Sequence, residues 1–517
     1  MSRADKLFGI ACSLAFLALG ALWIGAPGLH YDEVLFAIPL WAEGGMAGVI
    51  NVFHVKVPLM VMAYVGTLKT LLYAPVLVAW QPSEFGIRFP VIVAGAATVW
   101  LFFLVLHRTA GPRAARIGAV LLAVDTTFIW TTRCDWGPVA LQHLLLMAGV
   151  ATVSRSVPLA CFLFGLGLWD KAVFMWALAG VAAAALIVFP AEVRKRLTRA
   201  NVVAATAAFL AGCSPLLVFN VLSKGETFRQ DVGYSLPNAA DKITSLRNAL
   251  DGVSLVGFVV PWEPRGPERR PEGALETASV AVSKAFWETR RTGLSVALLA
   301  ALVAAPFVWK NKSYRFALVA AAVTYLPMFA AKNVGNSAHH IVLLWPLPHW
   351  VVAVAAARLN RWIAAAGTVA LCALNLIAYN HHHAQWIRFG NTSAWTDATV
   401  PLAQHLDGSG ATRIYACDWG ISNQLTVRRQ GRLPVNDISF ALLPADHDQE
   451  ARHWLAEKIG EPGVVFVTHT KQLEEFAGVT ARLEEIAGGI GLRREPDATI
   501  RDATGVPIFE VFRLVQK

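Results

Sequence analysis

Two adjacent carboxylates, Asp32 and Glu33, follow the first apolar run of the chain, in a stretch (29–58) that also carries Lys56. A carboxylate can take the proton of a hydroxyl group as a new bond forms, and an ammonium can neutralise a phosphate that leaves with extra charge. Charges at the end of a membrane helix are tolerated where a pocket or water receives them, which indicates a functional site. A solvated loop that happens to be charged is the plainer alternative.

Further charged residues stand between later apolar runs, and each has an ordinary explanation of its own. A loop ion pair explains Arg133 and Asp135 equally well, and an interfacial anchor with a snorkelling side chain explains Asp170 and Lys171. The membrane topology argued below places all of them on one side, and charges of both signs from separate loops on one face predict an assembled pocket. The same-side group comprises Asp32, Glu33, Lys56, Arg88, Arg133, Asp135, Asp170, Lys171 and residues 333–340.

The composition is that of a membrane protein. Of 517 residues, 56% are hydrophobic and 15% are charged, whereas soluble proteins carry about 25% charged residues. The mean hydropathy is +0.49, and the 18 Trp fit many anchors at the membrane–water interface. The net charge of +10 comes from short basic clusters between apolar runs, which is typical of cytoplasmic loops and argues against nucleic acid as a partner.

Four of the six cysteines lie inside apolar runs, where they behave as small hydrophobic residues. Cys134 and Cys417 lie outside such runs, and each is followed by Asp-Trp-Gly. Whether these two form a disulfide stays open. No cysteine spacing indicates a metal site.

Apolar runs of membrane-spanning length predict a polytopic α-helical protein with about eleven spans plus interfacial helices. The runs are 7–27, 89–106, 117–130, 139–153, 158–169, 173–189, 202–222, 294–309, 316–331, 341–357 and 362–379. Placing every basic connector in the cytoplasm puts the N-terminus inside and the C-terminus outside. Segment 57–80 is also apolar, but Lys69 and Pro75 interrupt it, and we expect an interfacial or re-entrant helical stretch there.

Two domains are expected. Residues 1–383 form the transmembrane domain, with outer loops 27–88 and 223–291, and residues 384–517 form a small extracytoplasmic α/β domain. In the latter, 411–416 and 463–468 are predicted strands, and 451–459 and 472–476 are predicted helices. Loop 223–291 is predicted to be a surface loop with a flexible centre, in the position of a lid, because Pro261, Pro264, Pro267 and Pro271 stand there among charged residues.

The order of the charged motifs resembles that of membrane glycosyltransferases of the GT-C fold, in particular the protein O-mannosyltransferase-like and lipid A aminoarabinose transferase-like group. The matching residues are Asp32-Glu33, Lys56-Val57-Pro58-Leu59, Arg88-Phe89-Pro90, Arg133-Cys134-Asp135, Lys171 and His339-His340. Val57 departs from the proline usual in the family, and His339-His340 departs from the common Arg-Tyr. These departures concern details of the donor side.

The resemblance implies inverting transfer of a single sugar from a polyprenyl-phosphate-linked donor to an acceptor hydroxyl on the outer face. We expect Asp32 to act as the general base, Glu33 to orient the base or the acceptor, and Asp135 to be the second candidate for the base. The remaining expected roles are binding of the donor phosphate by Lys56, Arg88, Arg133 and Lys171, and binding of substrate by His339 and His340. No cofactor is certain from the sequence, and a divalent metal held by Asp32 and Asp135 stays open without a spacing that supports it.

The expected location is the bacterial cytoplasmic (inner) membrane, with the active site and the C-terminal domain periplasmic or extracellular. The expected partners are the lipid-linked donor, membrane lipid and an acceptor that is an envelope glycan, a lipid or a protein. The alternative function is a lipid or polyanion transporter or flippase that uses the same outer charges. Transporters usually hold ionisable groups near the membrane midplane and contain repeated halves, neither of which this sequence indicates. A membrane scaffold would leave the outer charges unexplained.

Overall fold

A computed structural model of the chain describes residues 1–42, 46–53, 55–229, 239–261, 268–332, 334–443, 448–459 and 461–517. The first helices are α1 (Arg3–Ala21), α2 (Tyr31–Leu35), α3 (Leu68–Ala79), α4 (Glu84–Thr109), α5 (Pro112–Ala123), α6 (Thr126–Arg133), α7 (Ala140–Thr152), α8 (Val157–Asp170), α9 (Phe174–Val188), α10 (Pro190–Arg196) and α11 (Arg199–Leu222). They are followed by α12 (Glu226–Arg229), α13 (Ala239–Leu250), α14 (Gly273–Ala285), α15 (Leu294–Val303), α16 (Ala305–Val308), α17 (Lys312–Ala330), α18 (Ala338–Ile341), α19 (Leu347–Ala356) and α20 (Arg361–Phe389). The last helices are α21 (Thr399–Asp407), α22 (Ile421–Arg428), α23 (Asp448–Ile459) and α24 (Val479–Gly489). The strands are β1 (Gly48–Val52), β2 (Val55–Met62), β3 (Val65–Gly66), β4 (Arg413–Ala416), β5 (Val435–Asp437), β6 (Val464–His469), β7 (Leu492–Arg501) and β8 (Pro507–Gln516).

Every apolar run predicted to span the membrane contains helix, although run 7–27 ends in turns after Ala21 and runs 117–130 and 341–357 are broken at a bend. Five helices of the described chain are long and apolar enough to cross a membrane (α1, α4, α11, α17 and α20), and the number rises to eight if each of three bent helix pairs is one span. The other predicted runs coincide with the shorter apolar helices α7, α8 and α15. A polytopic helical architecture is therefore confirmed, and the number of spans stays a prediction.

Two of the bent pairs meet at one buried carboxylate. The bend of 56° between α5 and α6 and the bend of 45° between residues 338–344 and α19 flank Asp125. Asp125 accepts hydrogen bonds from the backbone N–H of Phe128 at 2.7 Å and from Trp345 Nε1 at 2.9 Å, so it caps α6 and holds the second bend against the first. Because α6 leads to residues 134–138 and α18 carries two histidines, these bends bring both segments to the same end of the bundle.

The basic connectors assemble at the opposite end. The contacts that join them are Asp5–Arg116 at 2.8 Å, Thr109 Oγ1–Ser313 Oγ at 3.1 Å, Glu192–Lys312 at 3.1 Å and Arg196 to the carbonyl of Val153 at 2.6 Å. A common end for these connectors is what the positive-inside rule requires of cytoplasmic loops. The orientation of the protein in its membrane stays a prediction.

Segment 57–80 is only half helical, which corrects the expectation. Its first part lies in β2, which pairs antiparallel with β1 and β3, and α3 begins only at Leu68. Alternating valines around Lys56 favour an extended chain. In β3, Val65 also forms an antiparallel β-bridge with Lys171, the residue after α8. The sheet therefore lies beside the helical bundle.

Loop 223–291 also differs from expectation, since α12, α13 and α14 occupy much of it. Helix α14 packs on α20, where Ser279 Oγ donates to Asn380 at 2.9 Å and Ser283 Oγ lies 2.8 Å from His381 Nδ1. The amphipathic pattern of this helix outweighs the prolines around it. The centre of the loop, with Pro264 and Pro267, lies outside the described residues.

The C-terminal domain is an α/β unit with strand order β5-β4-β6-β8-β7. Strands β4, β5 and β6 are parallel, and β7 and β8 complete the sheet in antiparallel fashion. Both predicted strands and the helix at 451–459 are confirmed. The helix predicted at 472–476 is only a short 3-10 turn at Lys471–Leu473, because the backbone N–H groups of Glu475 and Phe476 donate to Asp418, at 2.9 and 3.0 Å, instead of continuing a helical ladder. Helix α20 runs on to Phe389, past the boundary expected at 383/384.

Candidate active site

A cavity of about 190 Å³ opens at the end of the bundle opposite the basic connectors. Its charged and histidine lining residues are Asp32, Lys69, Asp135, Lys171, His339 and His340, and the remaining lining residues are Leu35, Phe36, Met62, Tyr64, Val65, Gly66, Trp136, Gly137, Pro138 and Trp419. Five of the residues singled out from the sequence (Asp32, Asp135, Lys171, His339 and His340) thus meet in one place. Helices, the β1–β3 sheet and the C-terminal domain all contribute to the wall.

Asp32 is presented by the short helix α2, whose first turn is fixed by a capping box. The His30 ring accepts a hydrogen bond from the backbone N–H of Asp32 at 3.1 Å, and the Glu33 carboxylate accepts one from the backbone N–H of His30 at 3.3 Å. Within the described chain, no hydrogen bond or ion pair reaches the Asp32 carboxylate. Burial raises the pKa of Asp32 to about 7, although the positive charge of Lys171 acts in the opposite direction. Such a group is suited to exchange a proton near neutral pH.

Lys171 follows α8 in extended conformation and is held by its backbone. It forms a β-bridge with Val65, and its carbonyl accepts a hydrogen bond from Gln142 Nε2 at 3.1 Å. The side chain is 3% exposed, and its ammonium has no hydrogen-bond partner among the residues that the structure describes. Burial lowers the pKa of Lys171 to about 8, and nearby carboxylates partly oppose this effect. A buried cation without a partner is a ready site for an anion.

Asp135 lines the same cavity, but its oxygens are already engaged. Its Oδ1 accepts from the backbone N–H groups of Val139 and Ala140 at 2.9 and 3.0 Å, at the start of α7, and its Oδ2 lies 2.7 Å from Lys69 Nζ. Lys69 is 2% exposed and also lies over the Phe36 ring at 4.2 Å. Sequence reasoning missed Lys69 as a site residue, although a lysine inside an apolar run was the signal that should have singled it out.

His339 and His340 stand on α18 with their Nδ1 atoms oriented by neighbours. Trp136 Nε1 donates to His339 Nδ1 at 2.9 Å, and the backbone N–H of Gly335 donates to His340 Nδ1 at 3.4 Å. An accepting Nδ1 leaves the proton of a neutral ring on Nε2. Both rings can therefore offer an N–H donor to a phosphate or sugar oxygen in the cavity.

Glu33 and Arg88 do not line the cavity, because they form a buried ion pair behind α2. Arg88 donates to both Glu33 oxygens at 2.6 and 2.8 Å and to the carbonyls of Ile24, Pro27 and Gly28. All of its polar nitrogen atoms are thereby occupied, which leaves none for a phosphate. The pair fixes the chain between α1 and α2, and it therefore holds in place the helix α2, which carries Asp32.

Arg133 and Lys56 also lie away from the cavity. Arg133 is fully buried and donates to the carbonyl of Leu22 at 2.7 Å and to the carbonyls of Trp23 and Ala26, so that it closes the end of α1. Lys56 is exposed on β2, opposite Asn51. Its neighbour His54 lies outside the described residues.

The C-terminal domain reaches the cavity through one loop. Trp419 follows β4 and packs on Tyr31 with a ring-centroid distance of 3.8 Å, next to Asp32 in sequence. Helix α22 continues the contact, since Gln424 Nε2 donates to the carbonyl of Leu29 at 3.0 Å and Arg428 pairs with Glu84 at 2.6 Å. The domain is therefore docked on the segment that carries Asp32.

A divalent metal between Asp32 and Asp135 does not fit this arrangement. The Lys69 ammonium, 2.7 Å from Asp135, already places a positive charge where the ion would bind. The described residues contain no group of three or more His, Cys, Asp or Glu side chains that could hold a metal ion. Cys134 and Cys417 are both buried with free thiols.

No family model and no curated protein matches the sequence. Solved structures do match over nearly the whole chain. ArnT from Cupriavidus metallidurans bound to undecaprenyl phosphate gives a TM-score of 0.58 at 11% identity, over 99% of this chain and 98% of that one. The apo state of the same ArnT gives 0.56 at 12% identity, over 98% and 97%.

The oligosaccharyltransferase of Archaeoglobus fulgidus, tethered to an acceptor peptide with an NVT sequon, gives a TM-score of 0.53 at 12% identity, over 100% of this chain and 74% of that one. At such identities the match concerns the fold. The chain therefore has the GT-C fold of ArnT and the archaeal oligosaccharyltransferase, and the resemblance drawn from the order of its motifs is confirmed at that level.

Proposed function

We propose that this protein is a GT-C glycosyltransferase that transfers a single sugar from a polyprenyl-phosphate-linked donor to an acceptor hydroxyl, with inversion. One observation carries the proposal: a carboxylate and an ammonium that lack partners in the described chain, Asp32 and Lys171, line the same cavity. The undecaprenyl phosphate bound by ArnT suggests the same lipid here. A fold match alone would leave the chemistry open, because one fold hosts many functions.

Lys171 is proposed to bind the donor phosphate. Its buried ammonium would stabilise the second negative charge that develops on the phosphate as the glycosidic bond breaks, and low polarity around it strengthens this effect. The Nε2–H groups of His339 and His340 are proposed to donate to phosphate or sugar oxygens. Arg88, Arg133 and Lys56, which the motif order also suggested for the phosphate, are assigned no contact with it, because they lie outside the cavity.

Asp32 is proposed as the general base. The acceptor oxygen attacks the anomeric carbon, the bond from that carbon to the phosphate oxygen breaks, and its electron pair stays on the polyprenyl phosphate. The acceptor proton moves to the Asp32 carboxylate. Asp135 is the weaker candidate, because its oxygens serve Lys69 and the start of α7, and Glu33 is assigned the positioning of α2 through Arg88.

The size of the cavity favours a monosaccharide donor. Its volume of about 190 Å³ lies below the roughly 300–1,000 Å³ of pockets for drug-sized ligands. An oligosaccharide would have to extend outside it. The acceptor is proposed to be an envelope glycan, a lipid or a protein, reached from the side of the C-terminal domain and residues 223–291, in the outer compartment of a bacterial inner membrane.

The test is a turnover assay with the purified full-length protein in lipid nanodiscs, using radiolabelled undecaprenyl-phosphate monosaccharides and candidate envelope acceptors. Wild type should consume donor, Asp32→Asn should bind donor without consuming it, and Lys171→Gln should lose donor affinity. Matched controls are Asp241→Asn and Lys195→Gln, which make the same changes at exposed residues outside the cavity. Both controls should behave like wild type.

A transporter predicts a different result in the same system. It would move the intact lipid between leaflets and release no sugar, whatever acceptor is supplied. Binding of the donor without cleavage by wild type, across all sugars and acceptors tried, would therefore contradict the transferase proposal. Equal turnover by wild type and Asp32→Asn would leave a transferase but refute Asp32 as the base.

A further inference from the structure

The tetrapeptide Cys-Asp-Trp-Gly occurs twice in the chain, at 134–137 in the membrane part and at 417–420 in the C-terminal domain. The two copies lie in unrelated elements, the first after α6 and the second after β4. Both nevertheless reach the same cavity, because Trp136 and Trp419 are part of its wall. In the proposed phosphate and proton chemistry, Trp136 acts through its indole N–H, which orients His339, and the ring faces of both tryptophans have no role.

The aspartate has the same local task in both copies. Asp135 accepts two backbone N–H groups at the start of α7. Asp418 is fully buried and accepts the backbone N–H groups of Trp419, Glu475 and Phe476, as well as a hydrogen bond from His469 at 2.7 Å. A buried carboxylate with several donors makes a rigid turn, which fixes the direction of the tryptophan that follows.

The glycine also has the same task, which is to allow a close approach. A Cβ atom at Gly137 would lie 2.7 Å from the His339 ring, and one at Gly420 would lie 2.4 Å from the Tyr31 ring. Gly420 in addition has a φ of +85°. The first tetrapeptide is thus packed against His339, and the second is packed against Tyr31, the residue before Asp32.

The two indoles are held by other aromatic rings. Trp136 contacts Phe258 at 5.5 Å and Trp395 at 5.7 Å between ring centroids. Trp419 contacts Tyr31 at 3.8 Å and Phe476 at 5.9 Å. Trp136 is buried, with 5% of its surface exposed, whereas Trp419 is only partly buried and keeps more of its surface open. Indoles fixed in this way lose little conformational entropy when a ligand packs on them.

We infer that Trp419 is the main sugar-binding wall of the cavity and that Trp136 adds the small surface it leaves uncovered, so that the C-terminal domain contacts the transferred glycosyl ring. This inference rests on the proposed function. The C–H groups on the faces of a sugar ring pack on an indole, whereas an isolated polyprenyl phosphate has no such ring. The tryptophans should therefore distinguish the sugar-bearing donor from the lipid phosphate product, while Lys171 binds both.

The test compares the affinities of full-length protein in nanodiscs for undecaprenyl phosphate and for the same lipid carrying a single sugar. In Trp419→Ala, affinity for the sugar-bearing lipid should fall about tenfold, and affinity for undecaprenyl phosphate should stay within about twofold of wild type. Trp136→Ala should weaken binding of both lipids, and of the sugar-bearing lipid more, because it also removes the hydrogen bond that orients His339. Trp419→Phe, which keeps a ring, should recover most of the loss, and Trp454→Ala, an exposed tryptophan of the same domain, should have no effect.

Each other outcome is decisive. Unchanged affinity of Trp419→Ala for both lipids overturns the inference and leaves the transferase proposal intact. Equal loss for both lipids, with Trp419→Phe no better, also overturns it, because it assigns Trp419 a purely structural role; thermal unfolding of the variants would report the same defect. If wild type binds neither lipid, the proposed function itself fails, and the inference falls with it.

Discussion

In the proposed mechanism, transfer should depend on pH as a narrow bell, because the same molecule must hold the Asp32 base ionised and the Lys171 ammonium charged. Burial raises the pKa of Asp32 from 3.8 to about 7 and lowers the pKa of Lys171 from 10.5 to about 8. The value of kcat/KM should rise as the pH passes 7, where the base becomes ionised, and fall as it passes 8, where the ammonium loses its proton. Both limbs of the kcat/KM profile report the pKa values of groups in the free enzyme, before the donor binds.

The magnitude follows from these two values. About 60% of the enzyme would carry both required charges at pH 7.5, and about 10% at pH 6 or pH 9, so that kcat/KM should change roughly sixfold on either side of the optimum. The assay is the initial rate of sugar transfer at low donor concentration in nanodiscs, between pH 5.5 and 9.5. The acceptor should lack groups that titrate in this range.

Substitution of Lys171 separates this reasoning from a general effect of pH. In Lys171→Gln the charge that lowers the pKa of Asp32 is gone, so the acidic limb should move to higher pH while the alkaline limb disappears. Lys195→Gln removes an equal charge from an exposed position at the opposite end of the bundle and should leave both limbs in place. A wild-type rate that is flat between pH 6 and 9, or an acidic limb that Lys171→Gln does not move, would refute the assignment.

Three further variants test how the buried charges of the site affect the stability of the folded protein. Asp32→Asn should raise the free energy of unfolding at pH 8 by about 4 kcal/mol, because a carboxylate whose pKa is raised from 3.8 to about 7 destabilises the folded state when it is ionised. Chemical denaturation should show that this stabilisation shrinks toward pH 4, where the carboxylate is protonated in the folded protein. A stabilisation that does not depend on pH would contradict burial of the charge as the cause. Lys69→Met should cost about 3–5 kcal/mol, because Asp135 is left buried without its ion pair, and the double change with Asp135→Asn should recover part of this loss in thermal unfolding. Arg88→Lys should lower thermal stability by about 1–3 kcal/mol, since it breaks the bidentate contact with Glu33, and transfer by the protein that remains folded should keep its pH profile.

The sequence predicted the helical bundle well, because long apolar runs leave few alternatives in a membrane. Segment 57–80 was the exception, since apolar residues without a clear period favour a helix and a strand equally, and the pairing of β3 with Lys171 comes from a distant part of the chain. The helix predicted at 472–476 did not form in full for a related reason. Its N–H groups donate to Asp418, which is far away in sequence.

Charged residues were harder to assign than helices. Motif order found Asp32 and Lys171, but it could not tell a cation that faces a cavity from one that binds backbone carbonyls. Arg88 and Arg133 belong to the second kind, and the planar guanidinium with its several donors suits that task better than an ammonium does. Lys69 shows the converse, because it appeared only as an interruption of an apolar run although it pairs with Asp135 on the cavity wall.

The charges on the cavity wall are balanced in a way that suits the proposed transfer. Among the described lining residues, the carboxylates of Asp32 and Asp135 balance the ammonium groups of Lys69 and Lys171. A bound phosphodiester donor brings one negative charge. In the proposed reaction, the phosphate gains a second negative charge when the glycosidic bond breaks, and Asp32 loses its own charge by taking the acceptor proton. The net charge of a poorly solvated cavity therefore stays constant through the transfer, which avoids the large cost of creating an uncompensated charge there. The proposed transfer thus moves one negative charge from Asp32 to the phosphate, which the Lys171 ammonium is proposed to bind.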